Sequence, residues 1–519
     1  MEQQRFTNVL LLIGLSGLGA IYATWALCDS LTEMGGDSAT YMLMARELSP
    51  FTRADSITVQ FATGATFPPL FPAMIGLLGG SFFAAHALVV LALTVSLYLL
   101  FVWFRDEGLN SYGGAIAILL FALMPGTYLL ALNIWSENPY LFCSLLTLLA
   151  ASRAERSNAA ASSRWWWIAS IACAAAVMIR TAGLPLLLTL TAFLAIRRKP
   201  RWSWMILTSW SPLLLWLAWS HLHASGATLY TQQLYALYGH DALGHLREQV
   251  FLEAQALTMA WLTSWLGNFA PWQLILLIAG FASVCVLGWV TRLLHGRFDA
   301  IYIMLYSLML LAWPWPGEAP RLLYVVTPIL VCYGMLTVQQ LSDRVGYRPA
   351  LIIKFGVSTM LGLAILPSFL ITMGRRLAPV PAEISVVKHI SGYYSDDVRQ
   401  ERRVAWAQAQ ILDDLQTVAE HVPPSDCIFQ IKPSVVVLLS GRMSRGPPLP
   451  SSSDEAFASL SQQCHYAYLM KLRSPTFPTE FYPRDRLHEN YRVLTVLTDK
   501  MSPNHEMLAE LIELFPAVP

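Results

Sequence analysis

Four ionisable side chains stand where a hydrophobic chain has little reason to carry them. Asp37 follows two glycines in GGDSATYMLMARELS, Glu137 lies in WSENPY, Arg180 in MIRTAGLP and Arg321 in PWPGEAPRLLY. Such groups suit the transfer of a group onto a hydroxyl. A carboxylate takes the proton of the attacking oxygen, and guanidiniums, which grip two phosphate oxygens at once, steady the charge that develops on a departing phosphate. Each residue also has a structural explanation. Asp37 can cap a helix whose face carries Tyr41, Ala45 and Leu48, Glu137 can complement a helix dipole, Arg180 can snorkel to lipid headgroups, and Arg321 can pair with Glu318 one turn away. The chemical reading gains weight only if the elements between them bring all four to one side of a membrane.

Of 519 residues, 55% are hydrophobic and 13% charged, with a mean hydropathy of +0.49, where a soluble protein has about a quarter of its residues charged. The composition specifies a polytopic α-helical membrane protein whose partners include membrane lipids. A net charge of +1 leaves no basic surplus for the phosphates of a nucleic acid, so no nucleic-acid partner is expected. Apolar runs long enough for about 30 Å of hydrocarbon predict roughly eleven transmembrane helices. They lie near 9 to 27, 81 to 104, 112 to 132, 138 to 152, 165 to 179, 183 to 196, 203 to 222, 270 to 291, 299 to 314, 322 to 340 and 350 to 373. The first is longer than a signal-peptide core and no small-x-small cleavage site follows it, so it is expected to be retained.

Sidedness follows from the basic residues, because short loops rich in Lys and Arg stay cytoplasmic. With a cytoplasmic N-terminus, the inner loops hold Arg105, then Arg153, Arg156 and Arg164, then Arg197, Arg198, Lys199 and Arg201, then Arg292 and Arg297, then Arg344 and Arg348. The outer side then receives residues 28 to 80, residues 223 to 265 and the tail from about 375. All four ionisable groups fall on that outer side. The segment FPPLFPAMIG, with Pro68 and Pro69, enters an amphipathic stretch over 70 to 80 too short to span, expected to lie along the membrane surface and wall a substrate cleft with Tyr41.

The tail, 376 to 519, shifts to charged, proline-punctuated sequence and reads as a small α/β domain of about 140 residues. Helical spacing in ERRVAWAQAQILDDLQTVAEHV stops at Pro423, and CIFQI, HYAYLM and YRVLTVL read as strands. Cys28, Cys143, Cys173, Cys285 and Cys332 lie in or beside apolar runs and read as packing residues. Cys427 and Cys464 fall in the tail, where a disulfide forms only if the compartment is oxidising and the geometry fits. No internal repeat supports a transporter of two inverted halves.

Taken in order, GDSATYMLMARELS, FPPLFPAMIG, SEN, RTAGLPLLL and WPWPGEAPRLLYVVTPIL resemble the lipid-dependent GT-C glycosyltransferases, in the branch of the lipid A aminoarabinose transferase and the protein O-mannosyltransferases. The likeness covers 1 to 375, and the tail is similar to the extracytoplasmic domain that many bacterial members carry. The resemblance implies a GT-C transmembrane catalytic domain over 1 to 375 in the inner membrane, with the C-terminal domain in the periplasm. It implies transfer of one sugar, with inversion, from a polyprenyl-phosphate donor such as an undecaprenyl-phosphate sugar to a hydroxyl of a glycolipid, polysaccharide or protein. Asp37 would be the general base, Arg321, Arg180 and Tyr324 would bind the donor phosphate, and Glu137 would be the luminal acid. Some members hold a divalent metal ion between such an acid and a histidine of a later outer loop, for which His240 and His245 stand deepest in this chain. Where some relatives have two adjacent acids after the first span, this sequence has Gly36 and Asp37, a departure from the protein O-mannosyltransferases.

Two rivals share some of these features. A lipid flippase would line its path with ionisable groups at several depths, whereas these gather at one face. An O-antigen ligase or polymerase leans on a large mid-chain outer loop, whereas here the largest outer unit is terminal.

Overall fold

The computed structural model describes residues 2–65, 67–197, 201–223, 242–266, 272–313, 315–344, 356, 359–363, 365–367, 369–370, 401–446, 463–470 and 491–515. They form two compact units: Met1–Leu27, Thr66–Phe71 and Ala87–Gly374 make the first, and Cys28–Ala65, Pro72–His86 and Arg375–Pro519 the second.

The first unit is helical. It contains α1 (Glu2–Ala26) and most of α5 (Phe82–Asp106), then α6 (Ser111–Ala122), α7 (Pro125–Leu132), α8 (Glu137–Arg156), α9 (Ala159–Ile179), α10 (Leu184–Arg197) and α11 (Trp202–His223). After these come α12 (Ala242–Leu266), α13 (Trp272–Leu294), α14 (Phe298–Leu311), α15 (Ala319–Tyr324) and α16 (Thr327–Arg344). The apolar runs from 9 to 27 through 322 to 340 each fall on one of these helices or helix pairs. The run 350 to 373 lies largely outside the described residues, as do residues 224 to 241 of the expected outer loop 223 to 265, whose remainder is α12.

The expected eleven spans are not reproduced. Among the described residues two helices, α5 and α13, are long and apolar enough to cross a membrane, or up to four if each of two bent pairs counts as one span. The physical reasons are local. Met124 and Pro125 break one run, proline being suited to the first position of the next helix, and α6 and α7 meet at 59°. The pair formed by Pro316–Tyr324 and Thr327–Arg344 bends by 61°. Helix α14 has 14 residues, about 21 Å, and α8 carries charged residues in its first and last turns.

Helix α8 is buried along most of its length and joins two ion clusters. At its C-terminal end Glu107, which follows α5, accepts from Ser152 at 2.6 Å, from Arg156 and Arg292 at 2.7 Å and from Arg297 at 2.9 Å. Arg153 pairs with Asp106 at 2.7 Å. Arg292 also meets Asp299 at 2.7 Å, which accepts from the Tyr333 hydroxyl at 2.6 Å. Three loops that the basic-residue count assigns to one side therefore converge.

The second unit holds α2 (Asp37–Leu48), α3 (Ser56–Thr63), most of α4 (Leu70–Leu77) and the described part of the tail: α17 (Glu401–Thr417), α18 (Pro433–Ser440) and five strands. These are β1 (Cys427–Phe429), β2 (Met443–Arg445), β3 (Tyr466–Met470), β4 (Tyr491–Thr498) and β5 (Met507–Leu514), in the order β2-β1-β3-β5-β4. The first three pair parallel and the last three antiparallel. Helix α18 makes the crossover between β1 and β2 and ends at Gly441 in the left-handed region, φ 64°, the glycine turn that LLSGR suggested. Strand β5 is an addition to the sequence reading. Helix α18 packs on α2, so the segment carrying Asp37 and the tail share one unit.

Cys427 and Cys464 are joined by a disulfide, and the other five cysteines are buried thiols outside any disulfide. Beside the bridge, Asp426 accepts from His465 Nδ1 at 2.7 Å. Burial pushes the Asp426 carboxyl up, but the His465 bond and the backbone N–H groups of Cys427 and His465 more than offset this and hold it below the usual range. The bridge closes a 37-residue separation, for which loop-closure entropy gives about 4 kcal/mol. Alkylation of the denatured, unreduced protein should label five of the seven cysteines, and all seven after reduction. Seven labels without reductant would contradict the pairing.

Candidate active site

Three segments of the first unit converge on Glu137. Its carboxylate is the first residue of α8 and has no exposure. Oε1 accepts from Arg180 Nη1 and from Arg321 Nε, both at 2.8 Å. Arg180 reaches it because α9 stops at Ile179 and residue 180 is extended, φ −153°, before a short 3-10 turn leads into α10. Arg321 reaches it from α15, the six-residue arm of a bent pair. Both guanidiniums have further contacts. Arg180 Nη1 lies 3.2 Å from Ser136 Oγ, and the Arg321 guanidinium carbon lies 4.1 Å from the centre of the Trp135 ring, where a cation is attracted to the π face.

Two cations against one carboxylate leave one positive charge in excess within this trio. Its side chains are largely shielded, at 14% exposure for Arg180, 12% for Arg321 and none for Glu137. Ion pairs removed from water in this way depend strongly on both partners being present. Glu137 Oε2 has no hydrogen-bond partner among the described residues, so the carboxylate is held through one oxygen. Each guanidinium carries five N–H donors, more than its bond to Glu137 uses.

Around the trio the polar groups are satisfied inside the protein. Tyr324 is buried, stacks on Phe121 and donates to Asn138 Oδ1 at 2.7 Å; Asn138 in turn donates to the Leu130 carbonyl at 3.2 Å. Tyr140 and Tyr302 hydroxyls lie 3.0 Å apart, and Tyr306 donates to the Leu322 carbonyl at 2.9 Å. Asn138, Tyr302 and Trp135 were not singled out in the sequence. Asn138 follows Glu137 and Trp135 stands two residues before it, so their proximity was the available signal; nothing local marks Tyr302. Pro68 is buried and Pro69 half-buried, both within the first unit.

Asp37 belongs to the second unit. It is half-buried and is the first residue of α2, with Gly36 at the cap position, so the helix begins at the acid rather than being capped by it. Tyr41 is buried one turn on. A second acid that the sequence reading passed over, Glu33, lies buried beside this turn and accepts from Ser38 Oγ at 2.6 Å. Downstream, Asp55 caps α3 through Thr58 N at 2.8 Å and the Thr58 hydroxyl at 2.7 Å. Burial pushes its carboxyl up, and the Thr58 bonds more than offset this to hold it below the ordinary range.

Of the ligands expected for a divalent metal ion, the described side chains include Glu137 alone. Among them no three His, Cys, Asp or Glu side chains gather to hold one, and Glu137 already faces two guanidiniums, which repel a cation. Of the two histidines considered, His240 lies outside the described residues and His245 lies in α12 with its side chain likewise outside.

No protein-family model matches the sequence, and no curated protein matches it. Among solved structures the chain is similar to ArnT from Cupriavidus metallidurans in the apo state, with a TM-score of 0.52 and 11% identity, covering 98% of this chain and 99% of that one. It is similar to the same protein bound to undecaprenyl phosphate with a TM-score of 0.50 and 12% identity, over the same shares. At such identity the likeness is one of fold: the chain shares the architecture of that protein, in keeping with the resemblance read from the sequence.

Substituting Glu137→Gln removes the carboxylate that the two guanidiniums share. We expect a loss of about 3 to 5 kcal/mol, as for other broken buried ion pairs, read as a lower thermal midpoint in detergent. An unchanged midpoint would mean that the trio does not hold these segments together.

Proposed function

We propose that the chain is a multi-pass membrane glycosyltransferase that moves one sugar, with inversion, from a polyprenyl-phosphate donor to a hydroxyl acceptor outside the cytoplasm. The convergence of Arg180 and Arg321 on one buried carboxylate carries the reading. It gathers two guanidiniums in a shielded place, where they can steady the charge on a departing phosphate. The GT-C fold is consistent with it, and ArnT, which has that fold, has been solved with undecaprenyl phosphate bound.

In the proposed reaction the acceptor oxygen bonds to the anomeric carbon as the bond from that carbon to the phosphate oxygen breaks. The electron pair leaves with the polyprenyl phosphate, whose added negative charge Arg321 and Arg180 offset. The hydroxyl proton passes to the Asp37 carboxylate, because an alcohol becomes acidic only as its new bond forms and a base of ordinary strength then suffices. A single base is enough for one displacement with inversion, whereas hydrolases use paired carboxylates. Tyr324 acts through Asn138, the neighbour of Glu137, rather than as a direct donor. Tyr41, Pro68 and Pro69 are assigned to the walls that receive donor and acceptor. Acceptors are a glycolipid, a polysaccharide or a protein hydroxyl.

The sidedness is part of the proposal. Helix α8 spans 20 residues, about 30 Å, between the Glu137 trio and the Glu107 cluster, which matches the hydrocarbon thickness. The Lys and Arg bias assigns the Glu107 end to the cytoplasm. The trio and the C-terminal segment are then extracytoplasmic, in keeping with the disulfide. The multi-pass topology of about eleven crossings, in the inner membrane, belongs to the same reading.

The test uses purified protein in lipid micelles with polyprenyl-phosphate hexoses and pentoses radiolabelled in the sugar, and a membrane extract as acceptor. Asp37→Asn should lower release of polyprenyl phosphate by about a hundredfold or more, and Arg321→Ala by a similar factor. Arg344→Ala, an exposed change at the end of α16, should leave it unchanged. Full turnover by Asp37→Asn, or equal losses from Arg321→Ala and Arg344→Ala, would overturn the assignment.

A further inference from the structure

The turn that presents Asp37 is held from two directions, and this rests on the reading of Asp37 as the base. From within the turn, Glu33 is 1% exposed. Its Oε1 accepts from Ser38 Oγ at 2.6 Å, and its Oε2 accepts from the Gly35 backbone N–H. A buried carboxylate is tolerated only when donors satisfy it, and these two donors come from either side of residue 37. Residue 35 has no room for a side chain, since a Cβ there would overlap the Glu33 carboxylate.

The second hold comes from the tail. Gly36 lies in the left-handed region, φ 91° and ψ −29°, a conformation that glycine adopts without strain. Its carbonyl accepts from Thr40 N and Thr40 Oγ1, both at 2.9 Å, and from Ser434 Oγ at 2.8 Å. Ser434 is buried, lies in the first turn of α18 and stands 398 positions along the chain. A Cβ on Gly36 would lie 3.1 Å from Lys432 Cδ, so the segment leading into α18 rests directly on the peptide before Asp37. That peptide cannot shift without breaking a bond to Glu33's network or to the tail.

We propose that Glu33 and Ser434 are positioning residues that fix the Gly35-Gly36 turn, and through it the carboxylate of Asp37, so that the C-terminal segment sets the rate of the transfer. Glu33 is enclosed, whereas Asp37 is half-buried, which separates the acid that shapes the turn from the acid that meets the acceptor. A displacement of about 1 Å in a reacting group costs on the order of a hundredfold in rate, so loss of one clasp should be felt in turnover more than in binding.

The test measures kcat and KM for the radiolabelled polyprenyl-phosphate sugar that the wild type turns over. Ser434→Ala and Glu33→Gln should each lower kcat about tenfold or more with KM within threefold, and Ser434→Thr, which keeps the hydroxyl, should retain at least half of the wild-type kcat. The cysteine labelling pattern of each variant monitors the fold of the tail. If Ser434→Ala and Glu33→Gln leave kcat unchanged while Asp37→Asn is inactive, or if Ser434→Thr is as impaired as Ser434→Ala, the positioning role is overturned and the base assignment stands. Full turnover by Asp37→Asn overturns the base assignment itself and the positioning role with it.

Discussion

A single buried carboxylate organises the first unit. Glu137 draws Arg180 from the break after α9 and Arg321 from a short bent arm, so three segments far apart in sequence end within hydrogen-bonding distance of one oxygen atom. Placing charge inside an apolar helical assembly costs several kcal/mol per ion unless partners are present. The chain therefore keeps these charges where they can answer each other. The Glu107 cluster at the far end of α8 follows the same physics with more partners and greater access to water.

The second unit joins the residues after α1 to the tail. Its mixed sheet and disulfide give the tail a rigid body from which α18 reaches the Asp37 turn. The bond from Ser434 to the Gly36 carbonyl ties the residue before the proposed base to a segment nearly four hundred positions later. Two adjacent glycines precede the acid: one is required by the Glu33 carboxylate and the other by a left-handed backbone lying under Lys432.

Much of this was legible in sequence because charge near hydrocarbon is scarce and basic loops mark sides. Counting Arg and Lys grouped Asp37, Glu137, Arg180 and Arg321; the structure brings the last three together, while Asp37 belongs to the second unit. Their pairing was less legible, since the bond from Arg321 to Glu137 spans 184 positions. Glu33 escaped notice because nothing local announces that an acid four residues before Asp37 is enclosed. Strand β5 escaped because Met, Leu, Ala and Glu favour helix, whereas a position between β3 and β4, buried along nearly its whole length, makes it a strand. A run of apolar residues does not reveal a bend at Pro125 or between residues 324 and 327, so the bent pairs were not legible in the sequence.

The central claim is that the Glu137 trio receives the phosphate of the donor and of the product. An experimental structure of the protein with polyprenyl phosphate bound tests it most directly. The account predicts phosphate oxygens within about 4 Å of both the Arg321 and Arg180 guanidiniums, the reach of an ion pair. Phosphate density elsewhere, with both arginines still closed on Glu137 alone, would contradict it.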